Sequence, residues 1–364
     1  MGKKIVLAAG GSGGHLFPAL ALADELRQRG HSIYLATDSR GNKYNIDFSE
    51  CQIFQIPSAT ITTKAPLPLI NTISKLGRGI FKANKVLNQI SASAVIGFGG
   101  YPSFPTVVAA LLRGVPTVIH EQNAVLGRAN RMLSKHVNMI ATSFEKVKFI
   151  NADLSDKVYV TGNPVRQIVI DSANRIYRAP LVGDTINVLV FGGSQGARFL
   201  SEVVPPALSS LPRQTRKRLI VTQQCRSEDL YDVKRTYRKA DIFSNCAPFF
   251  SDLPHKMALA HLVICRSGAS TIAELSVIGC PSILVPLPNA VDNDQLENAK
   301  TLTQAGAAWC IEQNELNVEE LINTLKTILE LPLKLENAAA AARRMGCSDS
   351  VNKLADLIEN LTGR

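Results

Sequence analysis

Lys4-Ile5-Val6-Leu7-Ala8-Ala9-Gly10-Gly11-Ser12-Gly13-Gly14-His15 passes from an apolar run through a glycine-rich turn into the amphipathic stretch Leu16–Arg29. An apolar run without polar alternation suits a strand buried on both faces, so the segment reads as the start of a βαβ unit. Asn187-Val188-Leu189-Val190-Phe191-Gly192-Gly193-Ser194-Gln195-Gly196 repeats the pattern at mid-chain. Short apolar runs follow the first turn at Ile33–Ala36, Ala94–Ile96, Thr117–Ile119, Met139–Ala141 and Val158–Val160. Others follow the second at Arg218–Val221, Leu262–Cys265, Ser282–Val285 and Ala307–Ile311. Two such series predict an α/β protein of two Rossmann-like, doubly wound parallel-sheet domains facing across a cleft. The polar stretch after Gly162-Asn163-Pro164 suits a linker. The expected division is 1–163, 164–340, and a closing segment 341–364 that packs back toward the N-terminal domain. Ala-rich Glu336–Leu361 reads as helical.

The 364 residues are 46% apolar, enough for packed cores and against a disordered chain. No apolar run approaches the ~18 residues of a membrane-spanning helix. Met1-Gly2-Lys3-Lys4 leads straight into the first strand, which argues against a secretory signal, and Val6 stands where a myristoylation motif wants Ser or Thr. Seven cysteines show no CxxC or metal-ligand spacing, so free thiols are expected, with Cys265 and Cys280 in apolar core surroundings.

Forty Lys+Arg against 30 Asp+Glu leave a net charge of +10, a signal for nucleic acid, anionic lipid or an anionic substrate. From Cys51 to His120 there is no acidic residue, while Lys64, Lys75, Arg78, Lys82, Lys85 and Arg113 all fall there. Between Leu69 and Leu87, Ile70, Ile73, Leu76, Ile80 and Leu87 share one helical face, and Lys75, Arg78, Lys82 and Lys85 gather opposite. Such a helix is either a surface helix with solvated charges or a cationic stripe for lipid headgroups. The absence of acidic residues favours the stripe; Gly77 and Gly79 argue against one unbroken helix. Nucleic-acid binding would need aromatics interleaved with the cations, and aromatics are only 6% of the chain.

The turn Gly10–Gly14 departs from the dinucleotide fingerprint, since Leu16 stands where its third glycine belongs, and it lacks the Lys of a P-loop. It suits an anion at a helix N-terminus, or a tight turn without a ligand. His15, just after it, is positioned as a general base, the alternative being a capping or core histidine. Cys265-Arg266-Ser267-Gly268-Ala269-Ser270-Thr271 ends a strand and opens a helix, offering hydroxyl and backbone donors to phosphate; Glu274 could accept from a ribose diol, or merely follow an N-cap. Phosphate plus ribose points to a nucleoside diphosphate. The loop Pro286–Gln295 carries Asn289, Asn293, Asp294 and Gln295, groups suited to sugar hydroxyls. Asp292 and Asp294 without a third ligand make a poor metal site, and none is expected. Gly97–Pro105 reads as a further glycine-rich loop for a second anionic group. His120-Glu121-Gln122-Asn123 follows a strand end and could add sugar contacts or merely cap the next helix, and Arg166 could neutralise a phosphate or simply solvate a linker.

Taken in order, Gly10–His15, Gly97–Tyr101, His120–Asn123, Gly162–Arg166, Gly192–Gly196 and Cys265–Gly268 resemble the bacterial N-acetylglucosaminyltransferases of peptidoglycan synthesis, in glycosyltransferase family 28. The resemblance spans nearly the whole chain and implies a GT-B fold. It implies inverting transfer of N-acetylglucosamine from UDP-N-acetylglucosamine to the 4-hydroxyl of undecaprenyl-diphospho-N-acetylmuramoyl-pentapeptide (lipid I), giving lipid II, with no cofactor and no metal. His15 would be the base. Ser12, Gly13, Gly14, Asn123 and Arg166 would contact the donor, as would Ser194, Gln195, Phe250, Ala269, Ser270, Thr271, Glu274 and Gln295. Phe250 would lie near uracil and Glu274 on the ribose. Gly99, Gly100, Tyr101 and Ser103 would form an acceptor loop. The enzyme would sit peripherally on the cytoplasmic face of the inner membrane, with cell-wall synthesis and division proteins as partners. Ser12 stands where the family commonly has Thr, and Phe104 where it commonly has Gly. Another GT-B glycolipid glycosyltransferase and a UDP-sugar epimerase are the alternatives.

Overall fold

The computed structural model of the chain describes residues 2–10, 13–38, 51–59, 66–193 and 198–363. The chain forms two compact units, Met1–Arg166 with Ser348–Arg364, and Gln167–Cys347. Among the described residues the first unit has seven strands: β1 (Lys4–Ala8), β2 (Ser32–Thr37), β3 (Gln52–Gln55), β4 (Ala94–Gly97), β5 (Thr117–Glu121), β6 (Met139–Thr142) and β7 (Val158–Val160). They form one sheet in the order β3-β2-β1-β4-β5-β6-β7, every pair parallel. β1 shows why its sequence is apolar throughout. Ile5, Leu7 and Ala9 enter a core with Leu16, Leu22 and Leu26 of helix Gly13–Gln28. Val6 and Ala8 enter the opposite core with Val86, Leu87 and Ile90 of helix Pro66–Ile90.

Helix Pro66–Ile90 runs through both of its glycines without a break. At Gly79 the reason is a close approach: a Cβ there would stand 2.0 Å from the Pro57 carbonyl oxygen. Its buried row is Ala83, Val86, Leu87 and Ile90, with Ile80 partly buried beside them. Ile73, placed by periodicity on the core-facing stripe, is instead 58% exposed, and Phe81 is 62% exposed among Lys75, Arg78, Lys82 and Lys85. The Lys85 ammonium lies 4.8 Å from the Phe81 ring centroid. No helix among the described residues is long and apolar enough to cross a membrane.

The second unit has β8 (Ile186–Phe191), β9 (Leu219–Gln224), β10 (Phe243–Ala247), β11 (Leu262–Cys265), β12 (Ser282–Leu284) and β13 (Ala308–Cys310). Their order is β10-β9-β8-β11-β12-β13, again all parallel. Two strands, β3 and β10, escape sequence reading. Each is the outer strand of its sheet, where one side needs no partner and polar residues are tolerated, as in Gln52-Ile53-Phe54-Gln55 and Phe243-Ser244-Asn245-Cys246-Ala247. The expected core cysteines are in place: Cys265 is 0% and Cys280 1% exposed, and burial raises both thiols' pKa values.

The C-terminal segment is two helices where composition suggested one. Pro332–Met345 ends at Gly346, where a Cβ would stand 2.6 Å from the Ser276 carbonyl oxygen. Residues 341–345 therefore close a helix of the second unit, in which the Arg343 guanidinium donates to the carbonyls of Ala173, Arg175 and Ile278. Ser350–Thr362 belongs to the first unit and sinks Leu354, Ala355, Leu357 and Ile358 into the core beside helix Gly13–Gln28. At its polar edge Arg29 pairs with Glu25, Asp356 and Glu359. The Lys3 backbone N–H donates to His31 Nδ1 at 3.1 Å, so His31 Nε2 carries the proton donated to Glu359 at 2.8 Å.

Because Leu354 is fully buried, Leu354→Ala should cost about 2–5 kcal/mol in urea unfolding. Ile73→Ala, on an exposed side chain, should change stability by less than about 0.5 kcal/mol.

Candidate functional site

In the first unit the strand order reverses between β1 and β4, the place where parallel α/β sheets form ligand crevices at the strands' carboxyl ends. Helix Gly13–Gln28 leaves β1 there, helix Gly100–Leu112 leaves β4, and the segment after β5 carries Gln122 and Asn123. The expected loop Gly97–Pro105 is in fact a strand end followed directly by a helix beginning at Gly100. Two prolines suggested a loop, but Pro102 lies in the first turn, where backbone N–H groups have no helical partner to lose. Pro105 forgoes one helical bond. Gly99 and Gly100 make the sharp entry, with φ of 80° and 70°. Phe104 packs partly buried against the core. Ser103 is fully buried and its hydroxyl donates to the Gly100 carbonyl at 2.9 Å, so it shapes the turn; Tyr101, in the same turn, is half-buried.

His15 stands half-buried in the first turn of helix Gly13–Gln28. Three glycines line its ring, and at Gly100 the approach is close. A Cβ on Gly10 would lie 3.5 Å from its Cδ2, one on Gly99 3.6 Å from Cε1, and one on Gly100 3.3 Å from Nε2. Behind the ring, His15 Nδ1 lies 3.1 Å from Gln122 Oε1 and Gln122 Nε2 lies 3.0 Å from His120 Nδ1. His120 Nε2 lies 3.0 Å from the Gly162 carbonyl oxygen. His120 is fully buried, and that burial, the largest cause, lowers its pKa to about 4; the bond to Gly162 opposes the shift and the nearby His15 adds to it. Glu121, 2% exposed, accepts from the backbone N–H groups of Asn123 and Gly127 and from the amides of Asn123 and Asn130. That carboxylate sets the path of the chain after β5 and holds Asn123 at the strand end. Arg166 lies over the Phe17 ring, 4.8 Å from its centroid. Gly13 is buried and Gly14 exposed at the helix start, while Ser12 lies outside the described residues.

In the second unit β8 and β11 are neighbours at the corresponding reversal. Ser194 and Gln195, after β8, lie outside the described residues. After β11, Gly268 is the N-cap of helix Ala269–Ile278, so Ala269, Ser270 and Thr271 form its first turn. Ser270 Oγ is buried with no hydrogen-bond partner among the described residues. Glu274, 8% exposed, is four residues on and shares that helix face. Arg266 is almost buried and braces the neighbouring segments: it donates to the carbonyls of Val285 and Pro286 at 3.0 and 3.1 Å and to Gln313 Oε1 at 2.6 Å. Ser267 Oγ donates to the Gln295 carbonyl at 2.8 Å, and Gln295 Oε1 accepts from the Leu287 N–H at 3.0 Å. Asn289, Asp292 and Asn293 all take left-handed backbone conformations, φ 54° to 58°, so this loop stores local strain near the helix start. Phe250 follows the end of β10, half-buried, with the Lys256 ammonium 5.1 Å from its ring centroid.

Thus His15, Gly99, Gly100 and Asn123 are brought together at one sheet end, and Ala269, Ser270, Thr271, Glu274 and Gln295 at the other sheet's. Sequence reading passed over Gln122, Glu121 and Arg266 as site-builders. Gln122 and Arg266 work through partners distant in sequence, Glu121 through the segment that follows it, and no local signal marks them beyond their place after a strand. Among the described residues no group of three or more His, Cys, Asp and Glu side chains is placed to hold a metal ion.

The glycosyltransferase family 28 N-terminal domain model matches residues 5–142, and the C-terminal domain model of that family matches residues 187–361. A Rhizobium rhizogenes protein is 46% identical over 360 residues, covering 99% of this chain and 96% of its own. It is named UDP-N-acetylglucosamine--N-acetylmuramyl-(pentapeptide) pyrophosphoryl-undecaprenol N-acetylglucosamine transferase. A Methylobacterium protein of the same name is 47% identical over 355 residues, covering 97% of this chain and 95% of its own. Among solved structures, that of Acinetobacter baumannii MurG superposes with a TM-score of 0.80 at 31% identity, covering 98% of this chain and 99% of that one. A Rickettsia africae glycosyltransferase shares the fold at 13% identity, with a TM-score of 0.61 and coverage of 99% and 98%.

The buried His120 makes stability depend on pH. Its folded pKa of about 4 lies below its ordinary 6.5, so the unfolded chain binds the extra proton between those values and stability falls on acidification. Urea unfolding should lose about 2 kcal/mol from this group between pH 7.5 and pH 5. His120→Gln should flatten that dependence by up to one proton's worth.

Proposed function

The chain belongs to glycosyltransferase family 28, and from that premise we propose that it moves N-acetylglucosamine from UDP-N-acetylglucosamine to the 4-hydroxyl of the muramoyl sugar of lipid I, forming lipid II. The observation that carries this is end-to-end likeness: 46% identity over 360 residues to a curated transferase of that name, with 96% of that relative covered. The transfer inverts the anomeric carbon in one displacement. The acceptor O–H bond breaks and its proton passes to His15. The oxygen's electron pair forms the new bond to C1 as the bond from C1 to the donor phosphate breaks, and that pair leaves on UDP.

The donor diphosphate is read at the start of helix Ala269–Ile278, where unpaired backbone N–H groups, the helix dipole and the unsatisfied Ser270 hydroxyl all favour an anion. Glu274 holds the ribose diol, and Phe250 lies by uracil. Ala269, Thr271 and Gln295, with Ser194 and Gln195, complete the donor contacts of the second unit. Gly13, Gly14, Asn123, Arg166 and Ser12 contribute from the first. The start of helix Gly100–Leu112, with Gly99, Gly100 and Tyr101, suits the acceptor's own diphosphate, and Ser103 keeps that turn in shape. The exposed cations Lys75, Arg78, Lys82 and Lys85 around Phe81 suit anionic headgroups on the cytoplasmic face of the inner membrane, where cell-wall synthesis and division proteins would be met.

Radiolabelled sugar transfer from UDP-N-acetylglucosamine to a lipid I analogue tests the activity, and turnover should persist in excess chelator. His15→Ala should lower kcat by about 10²–10⁴ while leaving the KM for the nucleotide sugar within about two-fold. Glu274→Gln should act the other way, raising that KM by about 10–100-fold, as expected for a lost charge-assisted hydrogen bond. In flotation, reversing the four exposed cations of helix Pro66–Ile90 to Glu should release the protein from anionic vesicles. Binding indifferent to lipid charge would refute the membrane reading.

A further inference from the structure

We propose that Gln122, backed by His120, is a positioning residue that locks His15 in the tautomer protonated on Nδ1, so that the base's lone pair is on Nε2, beside the Gly99-Gly100 turn. The inference rests on reading His15 as the base. It follows from two carbonyl groups at the far end of the hydrogen-bond chain, because a carbonyl can only accept.

Gln122 Nε2 lies 3.2 Å from the backbone carbonyl of its near neighbour His120. That end of the amide must therefore be the NH₂, and Oε1 must be the end 3.1 Å from His15 Nδ1. An amide oxygen also only accepts, so His15 Nδ1 carries the hydrogen. The other direction gives the same answer. His120 Nε2 is 3.0 Å from the Gly162 carbonyl and must be N–H. The fully buried ring is neutral, so its Nδ1 is a lone pair, which takes the second Gln122 N–H at 3.0 Å. Amide orientation and ring tautomers, which are otherwise assigned from surroundings, are each over-determined here.

Both relay residues are immobilised. His120 is 0% and Gln122 1% exposed, the Phe98 ring lies 5.6 Å from that of His120, and Asn130 Nδ2 donates to the His120 carbonyl. The opposite His15 tautomer would set a nitrogen lone pair against an oxygen lone pair and leave the amide oxygen unpaired. When His15 takes a proton on Nε2, its Nδ1–H still donates to the same oxygen, so nothing behind the ring has to reorganise. Gly100 lies alongside this edge of the ring, since a Cβ there would stand 3.3 Å from both Cδ2 and Nε2.

The test is long-range ¹H–¹⁵N correlation on the full chain labelled at histidine nitrogen, with His15 assigned by its loss in His15→Gln. In the wild type, neutral His15 should show a pyrrole-like Nδ1 and a pyridine-like Nε2, and His120 the reverse. Gln122→Met should abolish the single His15 tautomer and lower kcat by about 10–100-fold, part of the general-base contribution, with the KM for UDP-N-acetylglucosamine within about two-fold. In a His15→Ala background Gln122→Met should cost nothing further. A wild-type His15 protonated on Nε2 would overturn the relay, and that spectrum decides the matter even where a Gln122 variant fails to fold. An undiminished effect of Gln122→Met without His15 would overturn it too. Full turnover in His15→Ala would instead remove the base reading, whatever tautomer is seen.

Discussion

A strand in a parallel sheet can be followed by another only through a crossover over one face, so all strands of each unit point the same way. Two consequences follow for this protein. Helices cover both faces, and the central strands are mostly apolar on both sides, as the alternation of Ile5, Val6, Leu7 and Ala8 between two cores shows. All strand carboxyl ends also meet at one edge of the sheet. Chain segments far apart in sequence then leave neighbouring strands side by side: after Ala8 and Gly97 in the first unit, after Phe191 and Cys265 in the second. Each site is built where the crossover direction changes, and neither unit needs any other device to gather its helix starts.

The same edge is where polar groups must be buried, and there the two units use them alike. Glu121 gathers four N–H donors after β5, and Arg266 gathers three oxygen acceptors after β11. A buried charge without partners is costly, whereas a satisfied one holds irregular backbone in a single path. These two residues therefore act as anchors for the segments that follow β5 and β11. Charge stays away from the immediate neighbour of His15, where the chain of bonds runs through neutral groups to a backbone carbonyl.

What could be read from residues alone divides along physical lines. Central strands were legible because burial on both faces forces a composition that no solvent-exposed segment shares. The edge strands β3 and β10 were not, since a strand paired on one side tolerates polar residues and loses that signature. The turn at Gly97–Pro105 was located correctly but assigned the wrong conformation, because proline counts against a helix except in its first turn, and the first turn's position is set by Gly99 and Gly100. The join between the two C-terminal helices depends on Gly346 meeting the Ser276 carbonyl, a contact with no local trace. In the site, His15 and the Ser270–Glu274 pair stand next to strand ends and were visible for that reason. Gln122 was visible only as a letter in a motif, because its work is a bond across 107 residues.

With His15 as the proposed base, that bond bears on why an amide stands where many histidine bases have a carboxylate. A carboxylate behind an imidazole orients it but also favours the protonated ring, and a ring that already holds its proton cannot accept one. An amide oxygen fixes the tautomer by geometry while adding no net charge, and His120, held neutral by burial, passes the constraint back to Gly162 without adding any either. The orientation of the ring is thereby set by groups that add no charge beside it.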